Sequence, residues 1–332
     1  MRRVLITGVA GMIGSALALR LLQSGHEVIG IDNNTSEIGH KRLKQIVDHD
    51  SFDKYFGDVA QTRSLVRSFR KIRDIDTVVH LAARAGVRDN EENCVQCMID
   101  NVVGTASVFE MARELGIVKV IYASSSSVYG DTQDFRETPA IEGVTETGPI
   151  SAYAASKLAC ESLAKQFIDS GKLRTAIGLR FFTVYGPWNR PDMAASIFGK
   201  KILNGEEIEL FNEGENVRDW TSLGDVTRAI QSIVELNEYS EKFRSLGSDL
   251  FNVCCGNPIR VLDAVEIMAE QLGKPGQAKV KLVPRQSGDV LATRGCSGKL
   301  KALTGWQPQD SFEYGYSKVA KWLKEEAENS ME

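Results

Sequence analysis

The sequence predicts an α/β fold built on a doubly wound parallel sheet, with a smaller carboxyl-terminal α/β lobe. Three observations carry this. Short apolar, β-branched runs alternate with helical patterns down to about Arg180, the rhythm of strands joined by crossover helices. The first run ends in a glycine-rich loop, and the run after it ends in an acid. Beyond Arg180 the alternation loosens into helices and short strands. In such sheets ligands bind at the carboxyl ends of the strands.

Arg3 to Thr7 runs into Gly8-Val9-Ala10-Gly11-Met12-Ile13-Gly14; a helical pattern (Leu17, Leu21, Leu22) follows to Gly25, and a second strand, Glu27 to Ile31, closes at Asp32. Strand, G-x-x-G-x-x-G, helix, strand and acid make the dinucleotide fingerprint in full context. The glycines let backbone approach a pyrophosphate, which rests on the positive end of the helix. Gly8, Gly11, Met12, Ile13 and Gly14 are therefore cofactor-binding candidates. Asp32, 18 residues past Gly14 with Asn33 beside it, is placed to accept from ribose hydroxyls. Its charge repels a 2′-phosphate, which favours NAD over NADP.

Lys41 to Asp50 reads as a charged, solvated helical insert. Phe52 to Phe56 is the next strand and leads to Gly57-Asp58-Val59. Asp58, with Val59, fits an adenine contact, and it fits a turn or cap before the helix Gln61 to Lys71 equally well. Thr77 to Leu81 reads as a buried strand running into Ala82, Ala83 and Arg84; small residues there let a cofactor pass close to Leu81, Ala82 and Ala83. Arg88 fits a substrate phosphate or an ordinary surface. A helix from about Glu91 to Leu115 carries Asn101, and Val118 to Ala123, a fifth strand, ends in the hydroxyls Ser124 to Ser127.

Tyr153 and Lys157 stand four residues apart with small residues between them. A helix places both side chains on one face, a turn apart. An ammonium beside a phenol favours the phenolate, and such a tyrosine can exchange a proton with a substrate hydroxyl. Alone, this pair is most often a surface contact. Beside a nicotinamide site and this tyrosine, the serine cluster at a strand end reads as hydrogen-bond donors aimed at a sugar.

The remaining composition narrows the classes. A net charge of -4 gives no basis for a nucleic-acid or membrane-surface partner. No apolar run approaches the ~20 residues of a membrane span, and the start does not read as a signal peptide; a cytoplasmic protein is expected. The six cysteines include Cys94-x-x-Cys97 and adjacent Cys254 and Cys255. No second ligand pair follows at metal spacing, and His26, His40, His49 and His80 are scattered, so free thiols and no metal are expected.

Together, Thr7 to Gly14, Asp58-Val59, His80-Leu81-Ala82-Ala83, Ser125 to Gly130 and Tyr153-x-x-x-Lys157 resemble the extended short-chain dehydrogenase/reductase family of nucleotide-sugar epimerases and dehydratases. The run Leu179 to Ala194, with Arg84-Ala85-Gly86-Val87-Arg88, resembles the signature of UDP-glucuronate 4-epimerases. The chain departs from that pattern at Asp89-Asn90, where an aromatic residue is usual, at Asn189, where glycine is common, and at Arg218 to Leu223.

The resemblance implies a Rossmann-type NAD-binding domain over 1–180 and a mainly substrate-binding lobe over 181–332, with some segments returning to the main sheet. It implies catalysis by Tyr153 and Lys157 with Ser125 and Ser126, and NAD contacts that include Asn101, Lys157 and Val184. It implies that Ser125 to Ser127 and Thr183 bind the glycosyl ring and its carboxylate. Arg190, Arg218 and Asp289 would serve the nucleotide diphosphate and uridine, and Phe211 the uracil. The implied reaction is 4-epimerisation of a UDP-sugar by transient oxidation at C4, rotation of the 4-keto sugar and re-reduction. UDP-glucuronate is the favoured sugar. Neutral or N-acetylated hexoses, decarboxylation and a non-catalytic binder are the alternatives. Dehydrating and decarboxylating relatives carry an acid in the segment matching Ser125 to Ser127, and this chain has none there. Relatives often pair as homodimers through helices that match Glu91 to Leu115 and Tyr153 to Ile168.

Overall fold

Strand propensity and sheet position agree from the first residues onward. The computed structural model describes residues 1–329 except 34–35, 71, 73, 87–91, 238–239 and 286–289, and not the side chains of 62, 63 and 244. Its strands are β1 (Arg3–Thr7), β2 (Glu27–Asp32), β3 (Phe52–Phe56), β4 (Thr77–His80), β5 (Lys119–Ser125) and β6 (Thr175–Phe181). They continue as β7 (Thr183–Tyr185), β8 (Glu207–Phe211), β9 (Val217–Arg218), β10 (Trp220–Ser222), β11 (Ser248–Val253), β12 (Ile259–Arg260) and β13 (Lys279–Val283).

Seven of these form the parallel main sheet, in the order β11-β6-β5-β4-β1-β2-β3. The chain builds outward from β1 to β3, then crosses to β4 on the other side of β1, so the strand order reverses between β1 and β4. The crevice at that reversal is where ligands of doubly wound sheets bind. Here Thr7 lies opposite His80. Alternation along β1 explains why both faces are covered. Val4 and Ile6 pack with Leu17, Leu21, Ile230 and Ile233, whereas Leu5 packs with Val108, Phe109, Cys160 and Phe167 on the opposite face.

Of residues 181–332, β11, including Leu250 to Val253, joins the main sheet beside β6. The smaller lobe has its own core, in which Tyr185, Trp220, Phe312 and Tyr316 pack edge-on or tilted. Between β9 and β10 lies Asp219, which is turned inward. Its wholly buried carboxylate accepts from the backbone N–H groups of Cys255, Gly256 and Gly295 at 2.9, 2.9 and 3.0 Å. Burial pushes that carboxyl upward against the three donors.

The solvated insert expected over Lys41 to Asp50 is a correction. The helix is Glu37–Leu43, and Arg42, Leu43 and Ile46 are buried, because this turn packs back over the glycine loop. All six cysteines are free. Among the described residues no helix is long and apolar enough to cross a membrane.

Candidate active site

A cleft of about 800 Å³ opens at the carboxyl ends of β1, β2, β4, β5 and β6. Its floor is the glycine loop. Gly8 has φ +74°, and a Cβ there would sit 2.6 Å from Ala82 N; one on Gly14 would sit 2.2 Å from Gly8 O. Only bare backbone packs this closely. The helix Met12–Gln23 that follows starts at Gly11 with no side-chain cap and no acid in its first turn, which leaves its positive end open to an anion.

Asp32 ends β2, and one carboxylate oxygen accepts from Ala10 N at 2.8 Å. Asn33, Asp58 and Val59 line the same end of the cleft. Asp58 lines the cleft and also caps a turn by accepting from Ala60 N at 2.8 Å. Leu81, Ala82, Ala83 and Val184 form further wall. This uncapped helix end, bare loop and carboxylate at the second strand's end fit a dinucleotide.

The helix Ala152–Asp169 carries the proposed proton chemistry. Ser151 caps it, its Oγ accepting from Ala154 N at 3.1 Å, so the first turn is rigid where Tyr153 sits. Lys157 is 3% exposed and donates to Ala123 O, at the end of β5, at 3.0 Å. Its Nζ lies 5.8 Å from the Tyr153 ring centre, and both residues line the cleft.

The serine run is split by its neighbours. Ser124 donates to Glu161 at 2.6 Å, and Arg180 grips the same carboxylate at 2.8 and 2.7 Å. Ser125 donates to Ser127 Oγ at 3.0 Å and accepts from Ser127 N at 3.1 Å. Ser125, Ser126 and Ser127 thus turn along the cleft with Thr183, while the Ser124 hydroxyl braces them from behind.

Asn101 does not line the cleft. It is 1% exposed, accepts from Arg84 N at 2.7 Å and donates to Ser156 at 2.8 Å. It sits in a π-helical turn, Ile99–Val103, and anchors the wall from outside. Phe211, Arg218 and Arg285, a further arginine of the smaller lobe, are not among the lining residues. Arg218 donates to the carbonyls of Val217 and Leu291, and Arg285 pairs with Asp131 at 2.7 Å. Arg88 and Asp289 lie outside the described residues. Arg190 does line the cleft, paired with Asp192 at 2.8 Å.

Sequence reasoning missed Arg42, Arg84, Asp100, Phe181, Phe182 and Met193, all lining residues. Arg84 and Asp100 stood beside residues already singled out. Arg42 gave no signal, since it lies in a charged run.

Behind the cleft, His80 is held between Thr7 Oγ1 at 2.7 Å and Thr105 Oγ1 at 3.1 Å. Burial, and then the charge of Lys157, push its pKa down to about 3 from 6.5. The unfolded chain takes up a proton below about 6.5 that the folded protein refuses until about 3. Stability is therefore lost as pH falls through that window, by up to about 1.4 kcal/mol per pH unit. Urea unfolding at pH 7, 6 and 5 should show His80→Gln with a shallower acid slope by close to one proton; an unchanged slope removes His80 as a source.

A parallel sheet with a dinucleotide cleft lined by a Tyr/Lys pair, its lysine buried, defines an NAD-dependent enzyme. Residues 4–253 match the profile of the NAD dependent epimerase/dehydratase family. A UDP-glucuronate 4-epimerase of Thermodesulfobacterium geofontis is 33% identical over 330 residues, covering 98% of this chain and 97% of that one. The solved structure of MoeE5 with UDP-glucuronic acid and NAD is 30% identical with a TM-score of 0.84, covering 98% of this chain and 99% of that one. A UDP-glucuronic acid 4-epimerase from Bacillus cereus, solved with UDP-glucuronic acid and NAD, is 26% identical with a TM-score of 0.87, covering 97% and 99%. The chain belongs to the NAD dependent epimerase/dehydratase family.

Proposed function

We propose that this NAD-dependent UDP-sugar 4-epimerase converts UDP-glucuronate to UDP-galacturonate. The observation that carries the reading is the row of short neutral hydroxyls, Ser125 to Ser127 with Thr183, lining one cleft with Tyr153 and Lys157. The named relative and the two solved neighbours, with their UDP-glucuronic acid, support it.

In this reading Tyr153 takes the C4 hydroxyl proton and later returns it, and Lys157, fixed by Ala123 O, keeps a positive charge beside the phenol. NAD, when bound, would supply the hydride acceptor and donor for C4. The glycine loop, Asp32, Asn33 and Asp58 hold the dinucleotide. The sugar turns over between the two transfers, so the molecule is held mainly through its diphosphate, by Arg190 and Arg88, with Phe211, Arg218 and Asp289 toward the uridine. Residues 181–332 thus serve mainly the substrate.

A 4-keto sugar with a C6 carboxylate is a β-keto acid and loses CO2 fastest when the C5–carboxylate bond lies along the carbonyl π orbitals. Hydroxyl donors that hold the carboxylate out of that alignment preserve it. In Thr183→Val one donor to a charged group is gone, worth about 1.5–3 kcal/mol. The KM for UDP-glucuronate should rise about tenfold or more, with some UDP-pentose formed. Full activity with no pentose removes this role.

The reading is tested by incubating the protein with UDP-glucuronate, UDP-glucose and UDP-N-acetylglucosamine and separating the products chromatographically. UDP-galacturonate should form fastest; faster conversion of either neutral sugar sinks the carboxylate assignment.

We also propose a homodimer. Val95, Ile99 and Val103 follow one another at four-residue spacing and are 75%, 40% and 46% exposed, an apolar stripe that pairing with a second copy would cover. Val95→Glu with Val103→Glu should halve the mass seen by analytical ultracentrifugation. An unchanged mass places the contact elsewhere.

A further inference from the structure

Arg42 lines the cleft, yet it is only 8% exposed and its donors are committed on two sides. Nη1 donates to Ala10 O, inside the glycine loop, at 3.1 Å. Nε and Nη2 donate to Trp188 O at 3.2 and 2.6 Å. Trp188 opens the short arm Trp188-Asn189-Arg190, whose last residue lines the same cleft.

That arm is costly on its own. Trp188 has φ 63°, the left-handed region that a bulky residue rarely adopts. Asn189 is 1% exposed, and neither polar atom of its side chain has a hydrogen-bond partner among the described residues, a further destabilising feature. Such a conformation persists only where its surroundings over-determine it. Two contacts do so here: the Trp188 ring packs against Trp322 with centroids 5.7 Å apart, and the Arg42 fork closes on the Trp188 carbonyl. Arg42 and Arg190 also sense one another. Burial first, and then the charge of Arg190, lower the Arg42 pKa to about 10, with Asp32 opposing. A diphosphate entering beside two guanidinium groups would relieve that repulsion.

We infer that Arg42 is a positioning residue for the diphosphate-binding arm: by gripping Ala10 and Trp188 together, it sets Arg190 relative to the glycine loop. The inference rests on the reading of Arg190 as a diphosphate contact. It makes the grip on the nucleotide sugar depend on an element of the dinucleotide-binding part of the chain. The fork geometry is what matters, so a lysine, which keeps the charge and loses the fork, is the informative replacement.

UDP is titrated calorimetrically into the NAD-loaded parent, Arg42→Lys, Arg190→Ala and the double variant; Arg42→Gln is used if the lysine variant is not recovered folded. Arg42→Lys should bind UDP about tenfold more weakly. The double variant should be no weaker than Arg190→Ala alone, because the contact that Arg42 positions has already gone. In turnover the loss should fall on KM more than on kcat. Losses that add in the double variant, or parental UDP affinity in Arg42→Lys, overturn the proposal. Parental UDP affinity in Arg190→Ala removes the diphosphate reading, and the proposal with it.

Discussion

A Tyr153→Phe variant is expected to purify folded and carrying NAD, and to turn over about 10²–10⁴-fold more slowly than the parent, the range a positioned general acid–base contributes. The substitution removes one oxygen and leaves the ring in its place at the head of a helix capped by Ser151. Lys157 keeps its bond to Ala123 O, and the glycine loop, on the other side of the cleft, is untouched. Loss of turnover with retained NAD, measured by absorbance of the denatured supernatant, assigns the proton transfer to the phenol. Parental turnover would leave the oxidation and reduction at C4 without a proton carrier, and the catalytic reading would be abandoned.

The largest expected loss of stability comes from Glu161→Ala. Glu161 and Arg180 are each 5% exposed and form a two-bond pair. Burial works against the arginine's charge, and Glu161 outweighs it, so the guanidinium stays charged. Removing the carboxylate strands that charge in the core, at a cost of about 3–5 kcal/mol. It also takes away the acceptor of Ser124 and loosens Arg180, which lies 4.6 Å over the Tyr129 ring. Tyr129 in turn donates to Asn252 of β11 at 2.8 Å, so one deletion reaches β5, β6, β11 and the catalytic helix. Urea unfolding measures the loss. The double variant Glu161→Leu with Arg180→Met should regain most of it, since an apolar pair of similar size replaces a buried ion pair at little cost. A single variant within about 1 kcal/mol of the parent would show that the pair adds nothing beyond exposed ion pairs.

The two variants probe features of different legibility. Tyr153 and Lys157 could be read directly, because the helical period alone brings residues four apart together. Glu161 and Arg180 left a weaker trace: an acid among small and apolar residues midway along a helix, and a lone base in the strand Thr175–Phe181. Each is costly to bury unless paired, but nothing local says with what.

By itself the sequence determined whatever short-range geometry controls: the glycine turn, the acid closing β2, the hydroxyls at the end of β5 and the tyrosine–lysine spacing. These depend on backbone conformation and on neighbours within a turn or a strand end, which composition and period specify. The tertiary structure alone decided which side chains face the cleft. It turned Ser124 away to Glu161, placed Asn101 behind the wall, and brought Arg42 from a charged surface-like run into a buried clasp on Trp188, 146 positions along the chain. Those outcomes come from packing between distant elements, where the burial of a charge is settled by the partner it meets and not by the residues beside it.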